Sequence, residues 1–217
     1  MRVRYQTFEF NNADDIHVRT LRDTQQTSES SDDELVPPSM WGLFGIIWDA
    51  GLVMAHHVDK LKPEGLRILE LGCGIGLASL VLSQQHADIT ATDYNPAAGR
   101  FLQQNTTLNG SDEIPFIHAD WSDLQSSDQL GSFDLILGSD VLYERGAAAQ
   151  LCEFIERHAA PACTVIIVDA HRGNQGRFSK AMAEKGYTCD RRLIGEEAFL
   201  AERFRGNMLT YTRQATG

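Results

Sequence analysis

The sequence predicts an α/β fold: a doubly wound, mostly parallel seven-stranded sheet covered by helices on both faces. An antiparallel edge strand and a small N-terminal β-hairpin complete it. Three observations carry this prediction. Short apolar runs alternate with helical segments from Arg67 to Lys185, and that alternation builds a parallel sheet with both faces covered. One run, Leu66–Leu71, leads directly into Gly72-Cys73-Gly74-Ile75-Gly76 and then a helix, a strand–turn–helix suited to a nucleotide. The last two apolar runs have no long helix between them, so they pair antiparallel at an edge.

Residues 2–10 alternate weakly and Ile16–Leu21 alternate again, with turn-like Asn11–Asp15 between them, which predicts the hairpin. Gln25–Pro38 is polar and acidic, ends in Pro37-Pro38, and reads as a loop. Residues 1–40 are thus expected as a hairpin and loop packed on a main domain of residues 41–217. Trp41–Leu61 reads as a helix with one apolar face. Strands follow at Arg67–Leu71, Asp88–Thr92, Ile114–His118, Phe133–Leu137 and Cys163–Asp169. Helices fall between them at Leu77–Gln84, Pro96–Leu108 and Ala147–His158, with another at Phe178–Lys185. Pro96 at a first turn and Asn109-Gly110 past the end are start and stop signals. Tyr187–Leu193 and Met208–Thr212 supply the last two strands.

The 217 residues suit one domain with a full core. A formal net charge of −11 argues against a broad nucleic-acid-binding surface. It is compatible with a basic protein partner and equally with simple solubility. No apolar run reaches membrane-spanning length, and Met1–Phe10 lacks a signal-peptide core. Cys73, Cys152, Cys163 and Cys189 have no paired spacing and read as reduced, mostly buried thiols. The expectation is a cytoplasmic monomer that engages neither membrane nor nucleic acid. The seven histidines form no spaced ligand set, so no metal is expected.

The chemistry should sit at the carboxyl ends of the strands. The turn has G-x-G-x-G spacing in Gly72, Gly74 and Gly76, not the dinucleotide G-x-G-x-x-G, and Glu70 precedes it. A carboxylate there repels a pyrophosphate and suits a ligand bearing an amino group. S-adenosylmethionine has an ammonium, a carboxylate and no phosphate. Asp93 ends the second strand, 23 positions after Glu70, where an acid accepts from both ribose hydroxyls; the bland alternative is a turn residue before Asn95-Pro96. Asp120 could accept from the adenine amino group or cap the Ser122–Leu124 turn. Trp121 could pack on the adenine or fill the core edge. Ser139-Asp140-Val141-Leu142-Tyr143-Glu144 ends the fourth strand beside the first. An acid and a phenol there can position a substrate amine; otherwise Asp140 caps a helix and Tyr143 is core. Trp48 lies in an apolar helical stripe, which is the ordinary setting of a core aromatic. Cys73 has no base at the spacing of a nucleophilic pair. His171 and Arg172 end the fifth strand and could line the substrate cleft or form a surface pair.

With these residues in view, the chain resembles the Rossmann-like, seven-stranded S-adenosylmethionine-dependent methyltransferases. Within them it is similar to the family-16 protein-lysine methyltransferase group. The resemblance rests on Phe44–Gly51, Glu70–Gly76, Thr92–Asn95, Asp120-Trp121 and Ser139–Glu144, and spans about Trp41 to Arg172. It implies S-adenosylmethionine as cofactor, held by Trp48, Glu70, Gly72, Gly74, Gly76, Asp93, Asp120, Trp121 and Ser139. It implies catalytic roles for Asp140 and Tyr143 at a substrate lysine. The chain lacks the Asn/Asp-Pro-Pro-Tyr/Phe motif of enzymes acting on amide or adenine nitrogens. The expected activity is N-methylation of a protein lysine. A small-molecule amine, or a non-catalytic S-adenosylmethionine-binding assembly factor, are the alternatives. An NAD-dependent oxidoreductase shares the logic of Asp93 but is disfavoured by Glu70 and the glycine spacing.

Overall fold

The computed structural model describes residues 1–24, 26, 42–143 and 146–215. The loop expected at 25–38, apart from Gln26, lies outside the described residues, as do Trp41 and Glu144.

Among the described residues two strands precede the main sheet, β1 (Val3–Phe8) and β2 (Ile16–Leu21), paired antiparallel from Val3 opposite Leu21 to Phe8 opposite Ile16. The main sheet has β3 (Arg67–Leu71), β4 (Asp88–Asp93), β5 (Phe116–His118), β6 (Phe133–Ser139), β7 (Ala159–Asp169), β8 (Thr188–Ile194) and β9 (Gly206–Arg213). The helices are α1 (Asp49–Val58), α2 (Leu77–Gln84), α3 (Pro96–Leu108), α4 (Ala147–His158) and α5 (Gln175–Glu184). Strand order is β5-β4-β3-β6-β7-β9-β8. The strands β3 to β7 run parallel, while β9 is antiparallel to both β7 and the edge strand β8. The doubly wound sheet with an antiparallel edge is therefore the fold the sequence predicts.

Side chains alternate across a strand, and here both faces are buried. Ile68, Leu135, Leu137, Ile166 and Val168 join the core under α1, α2 and α3. Leu69, Leu71, Ile136, Val165 and Ile167 join the opposite core under α4 and α5. The chain winds outward from β3 toward β5, then returns to place β6 on the other side of β3. The crevice therefore opens between the carboxyl ends of β3 and β6, where Leu71 lies opposite Gly138.

Several boundaries differ from expectation. The helix expected over Trp41–Leu61 is broken: a 3₁₀ turn at Leu43–Gly45 gives way to extended backbone at Ile46 and Trp48 before α1. A Cβ at Gly45 would come within 2.2 Å of the Leu21 side chain, so this turn packs closely on β2. The strand β5 starts at Phe116 rather than Ile114, because Pro115 has no N–H to donate and contributes only its carbonyl, to Ala91 N at 2.9 Å. The strand β7 begins four residues before the expected Cys163, across an irregular register with β6. The helix α5 begins at Gln175, ahead of the expected Phe178. Cys73, Cys152 and Cys163 are buried, but Cys189 is exposed on β8. Among the described residues no helix is long and apolar enough to cross a membrane.

Candidate active site

A cavity of about 660 Å³ opens at the crevice between β3 and β6, within the ~300–1,000 Å³ range of ligand sites. Its floor is the turn after β3. Gly72, Gly74 and Gly76 all have positive φ, at 58°, 55° and 76°. A Cβ on Gly74 would lie 2.9 Å from the Phe44 carbonyl oxygen, and one on Gly76 2.6 Å from Leu102. Only glycine combines that backbone with that closeness. Gly72 and Gly74 line the cavity, whereas Gly76 is the N-cap of α2 and packs against α3.

Glu70 is 4% exposed, yet it lines the cavity from β3. Its Oε2 accepts from Ser79 N at 3.1 Å and from the Ser79 hydroxyl in the first turns of α2. Burial raises its pKa to about 7, opposed by the Ser79 hydrogen bonds and reinforced by the charge of Asp93. At neutral pH Glu70 therefore sits near its titration midpoint.

Asp93 ends β4 and also lines the cavity. Its Oδ1 accepts from Asn95 N at 2.7 Å and its Oδ2 from Gly74 N at 2.8 Å. Burial raises its pKa, against the opposing hydrogen bonds from Asn95 and Gly74. A carboxylate accepts about four hydrogen bonds, which leaves capacity for a diol. Asp120 follows β5, and its Oδ1 takes Ser122 N at 2.8 Å and the Ser122 hydroxyl at 2.7 Å. The turn-capping reading is therefore realised on one oxygen, and Oδ2 remains to accept from a ligand. Trp121 lies over the glycine turn, 3.9 Å from where a Cβ of Gly72 would be.

On the far side of β3, Ser139 ends β6 and Asp140 follows it. Asp140 has left-handed backbone, φ 53°, a conformation that aspartate tolerates better than most residues. Its side chain is 12% exposed and forms a two-point ion pair: Arg172 Nε donates to Oδ1 at 2.9 Å, and Arg172 Nη2 to Oδ2. That pairing raises the Arg172 pKa further. Tyr143 and Trp48 line the same cavity and remain 44% and 38% exposed. The Trp48 indole donates to the Leu43 carbonyl at 2.9 Å, so this tryptophan belongs to the cavity mouth and not to the core.

Of the eleven residues singled out from sequence, ten line this one cavity and Gly76 stands behind it. Arg172, left between cleft and surface by its sequence context, also lines the cavity, but His171 turns away to Asn207 at 2.6 Å. Ile46 and Ile47 line it too. Their periodicity suggested a helical face, and no local signal marked them as extended. Among the described residues no cluster of His, Cys, Asp and Glu is arranged to hold a metal.

Residues 39–185 match the family described as lysine methyltransferase. A curated relative, protein N-lysine methyltransferase METTL21A of Danio rerio, is 29% identical over 133 residues, covering 58% of this chain and 60% of its own length. Histidine protein methyltransferase 1 homolog of Dictyostelium discoideum is also 29% identical, over 58% of this chain and 42% of its own. The chain thus spans less than two thirds of either relative. Among solved structures, the 16S rRNA N2 G1207 methyltransferase RsmC of T. thermophilus, in complex with AdoMet and guanosine, superposes over 99% of this chain and 51% of its own. The TM-score is 0.66 and the identity 16%, which speaks to the fold alone.

Proposed function

The chain belongs to the lysine methyltransferase family, and from that premise we propose that it transfers a methyl group from S-adenosylmethionine to a side-chain nitrogen of a protein, first a lysine amine. One observation carries this reading. A single cavity joins two unlike halves across β3: acceptors suited to a nucleoside at Asp93 and Asp120, and an acid flanked by exposed rings at Asp140, Trp48 and Tyr143.

The residues fit the cofactor. Asp93 would take the ribose hydroxyls, Asp120 Oδ2 the adenine amino group, and Trp121 the ring face. The bare backbone of Gly72 and Gly74 lets the ligand lie on the turn. When bound, S-adenosylmethionine supplies an electrophilic methyl group on a cationic sulfur.

The chain must present a neutral amine. Free lysine has a pKa near ~10.4, so roughly one molecule in a few thousand is neutral at pH 7. The guanidinium of Arg172 beside Asp140 disfavours a second cation and thus lowers the pKa of an arriving ammonium. Asp140 orients the amine by accepting its N–H once Arg172 yields an oxygen. Trp48 and Tyr143 enclose the apolar lysine stem and exclude water. The relevance of a protein acceptor rests on the relatives, several of which are named for protein lysines. The Dictyostelium relative supports histidine as the second reading. We also propose a cytoplasmic location, a reading that the four unpaired thiols support.

The test is methyl-labelled S-adenosylmethionine with a cell lysate, followed by mass spectrometry of labelled bands. Methyl-lysine in a discrete protein is expected. Asp140→Asn should lower turnover by about 100-fold or more with cofactor affinity within about twofold of wild type. Equal losses of both would move Asp140 to the cofactor site. Label confined to histidine or to small molecules would overturn the lysine assignment.

A further inference from the structure

A second groove, of about 560 Å³, leaves the mouth of the active site. It shares Ile47, Trp48, Asp140 and Arg172 with the main cavity. Its far side is the segment Glu202-Arg203-Phe204-Arg205 leading into β9. Phe204 is 5% exposed and sits in the core, while Arg203 and Arg205 on either side of it are exposed. Both arginines line the groove from the solvent side of the buried Phe204. The segment is pinned at its end: a Cβ on Gly206 would lie 2.4 Å from the Asp169 carbonyl oxygen.

Neither Arg203 nor Arg205 has an ion-pair or hydrogen-bond partner among the described residues. The other charges of the groove are largely accounted for. Asp140 and Arg172 are paired with each other. Asp49 occupies the first turn of α1, where the helix dipole favours an acid. Asp49 and Glu202 are then left opposite Arg203 and Arg205. On a chain of net charge −11, this balanced groove is a local relief of the acidic surplus, and it carries, beside the acceptor slot, two arginines without partners among the described residues.

We infer that this groove reads the sequence around the acceptor: acidic side chains flanking the methylated lysine dock on Arg203 and Arg205. The inference rests on the lysine reading above and names its substrate class. Carboxylates suit arginine through two-point, charge-assisted hydrogen bonds. A substrate strand leaving the acceptor slot has this groove as its continuation.

The experiment is fluorescence anisotropy with the full chain and labelled peptides that carry a central lysine flanked by glutamates or by glutamines. The glutamate peptide is expected to bind about fivefold or more tightly, and to lose most of that advantage between about 50 and about 300 mM salt. Arg203→Ala/Arg205→Ala should erase the preference while leaving the melting temperature and S-adenosylmethionine affinity unchanged, and Arg203→Lys/Arg205→Lys should keep part of it. Equal binding of the two peptides, or a preference that survives in the alanine variant, overturns the inference. Methyl transfer to the same peptides is read separately. A glutamate peptide that binds through the arginines without being methylated leaves the groove standing and counts against the lysine assignment.

Discussion

Glu70 places a carboxyl at a position on β3 whose neighbours Ile68, Leu69 and Leu71 are wholly buried and apolar. Its sequence position suggested contact with a ligand's amino group; the structure adds that one oxygen is already committed to Ser79. Its pKa rises from 4.5 unfolded to about 7 folded. The folded state therefore holds more protons than the unfolded state across that window, and stability falls as pH rises through it. At about 1.4 kcal/mol for each tenfold in proton affinity, the loss is about 3 kcal/mol, complete above about pH 7. Glu70→Gln should flatten this part of the profile without cofactor present. Urea midpoints at acid and neutral pH measure it, and parallel profiles for the two proteins would refute it. The Asp140–Arg172 pair makes a different point. Asp140 was legible from its place after an apolar strand, but its pairing with Arg172, 32 positions away, was not: Arg172 read only as a cleft-lining or a surface residue. Replacing Arg172 by Ala removes the charge that disfavours an arriving ammonium, so the rate should fall and its pH optimum move upward, with cofactor affinity retained. A pH–rate profile identical to wild type would exclude that role.

The N-terminal hairpin is held as an element by polar groups that no hydrophobic pattern reports. Asn105 on α3 and Asn109 at its C-cap, one turn apart, reach the free edge of β2. Asn105 Oδ1 accepts from Arg19 N at 2.7 Å, and Asn109 bonds both N–H and carbonyl of His17 at 2.7 Å. The helix thereby covers an edge that would otherwise be open to pairing. At the hairpin turn, the buried Asp59 carboxylate at the end of α1 accepts from the N–H groups of Asn11, Asn12 and Ala13 at 3.1, 3.2 and 2.8 Å. Leu21 at the other end of β2 supports Gly45, next to the cavity-lining Phe44. Asp59→Ala should cost about 2–4 kcal/mol, since it strands three partly buried donors at once. Denaturant midpoints give the cost, and hydrogen exchange should quicken first at residues 11–13. A change below about 0.5 kcal/mol would mean that water replaces the carboxylate. The hairpin itself was plain from alternation and turn residues. Its attachment was not, because asparagine and aspartate at helix ends read first as capping residues.

Across the whole molecule, the formal charge of −11 sets a repulsion that compactness concentrates. Described ion pairs such as Arg213–Glu156 and Lys185–Glu153 lie on the surface or at its edge, where each contributes little. Screening should therefore help more than it harms. Raising salt from about 20 mM to about 200 mM should lift the melting temperature by about 2–5 °C. A fall in calorimetric melting temperature would show that the surface pairs outweigh the repulsion. The same charge led to the expectation of a basic partner or plain solubility, and the groove at Arg203 and Arg205 shows why net charge is too coarse to choose a substrate. Those two arginines are exposed because Phe204 between them is buried, and that side-selection is made by the core.

By itself, the sequence determined the order of strands and helices, the glycine turn and the acids at strand ends. Each is a local consequence of periodicity, backbone freedom or residue type, and each survives in the structure with small shifts in boundary. Tertiary structure alone decided three things. It broke the expected helix at Ile46–Trp48, next to a turn whose Gly45 packs on a strand more than twenty residues earlier. It coupled Asp140 to Arg172 by bringing the ends of β6 and β7 side by side. It also carried the segment before β9, at the far end of the chain, to the mouth of a cavity built by β3 and β6, because β9 inserts between β7 and β8. Such contacts depend on which strands become neighbours, and that is settled by burying both faces of the sheet at once.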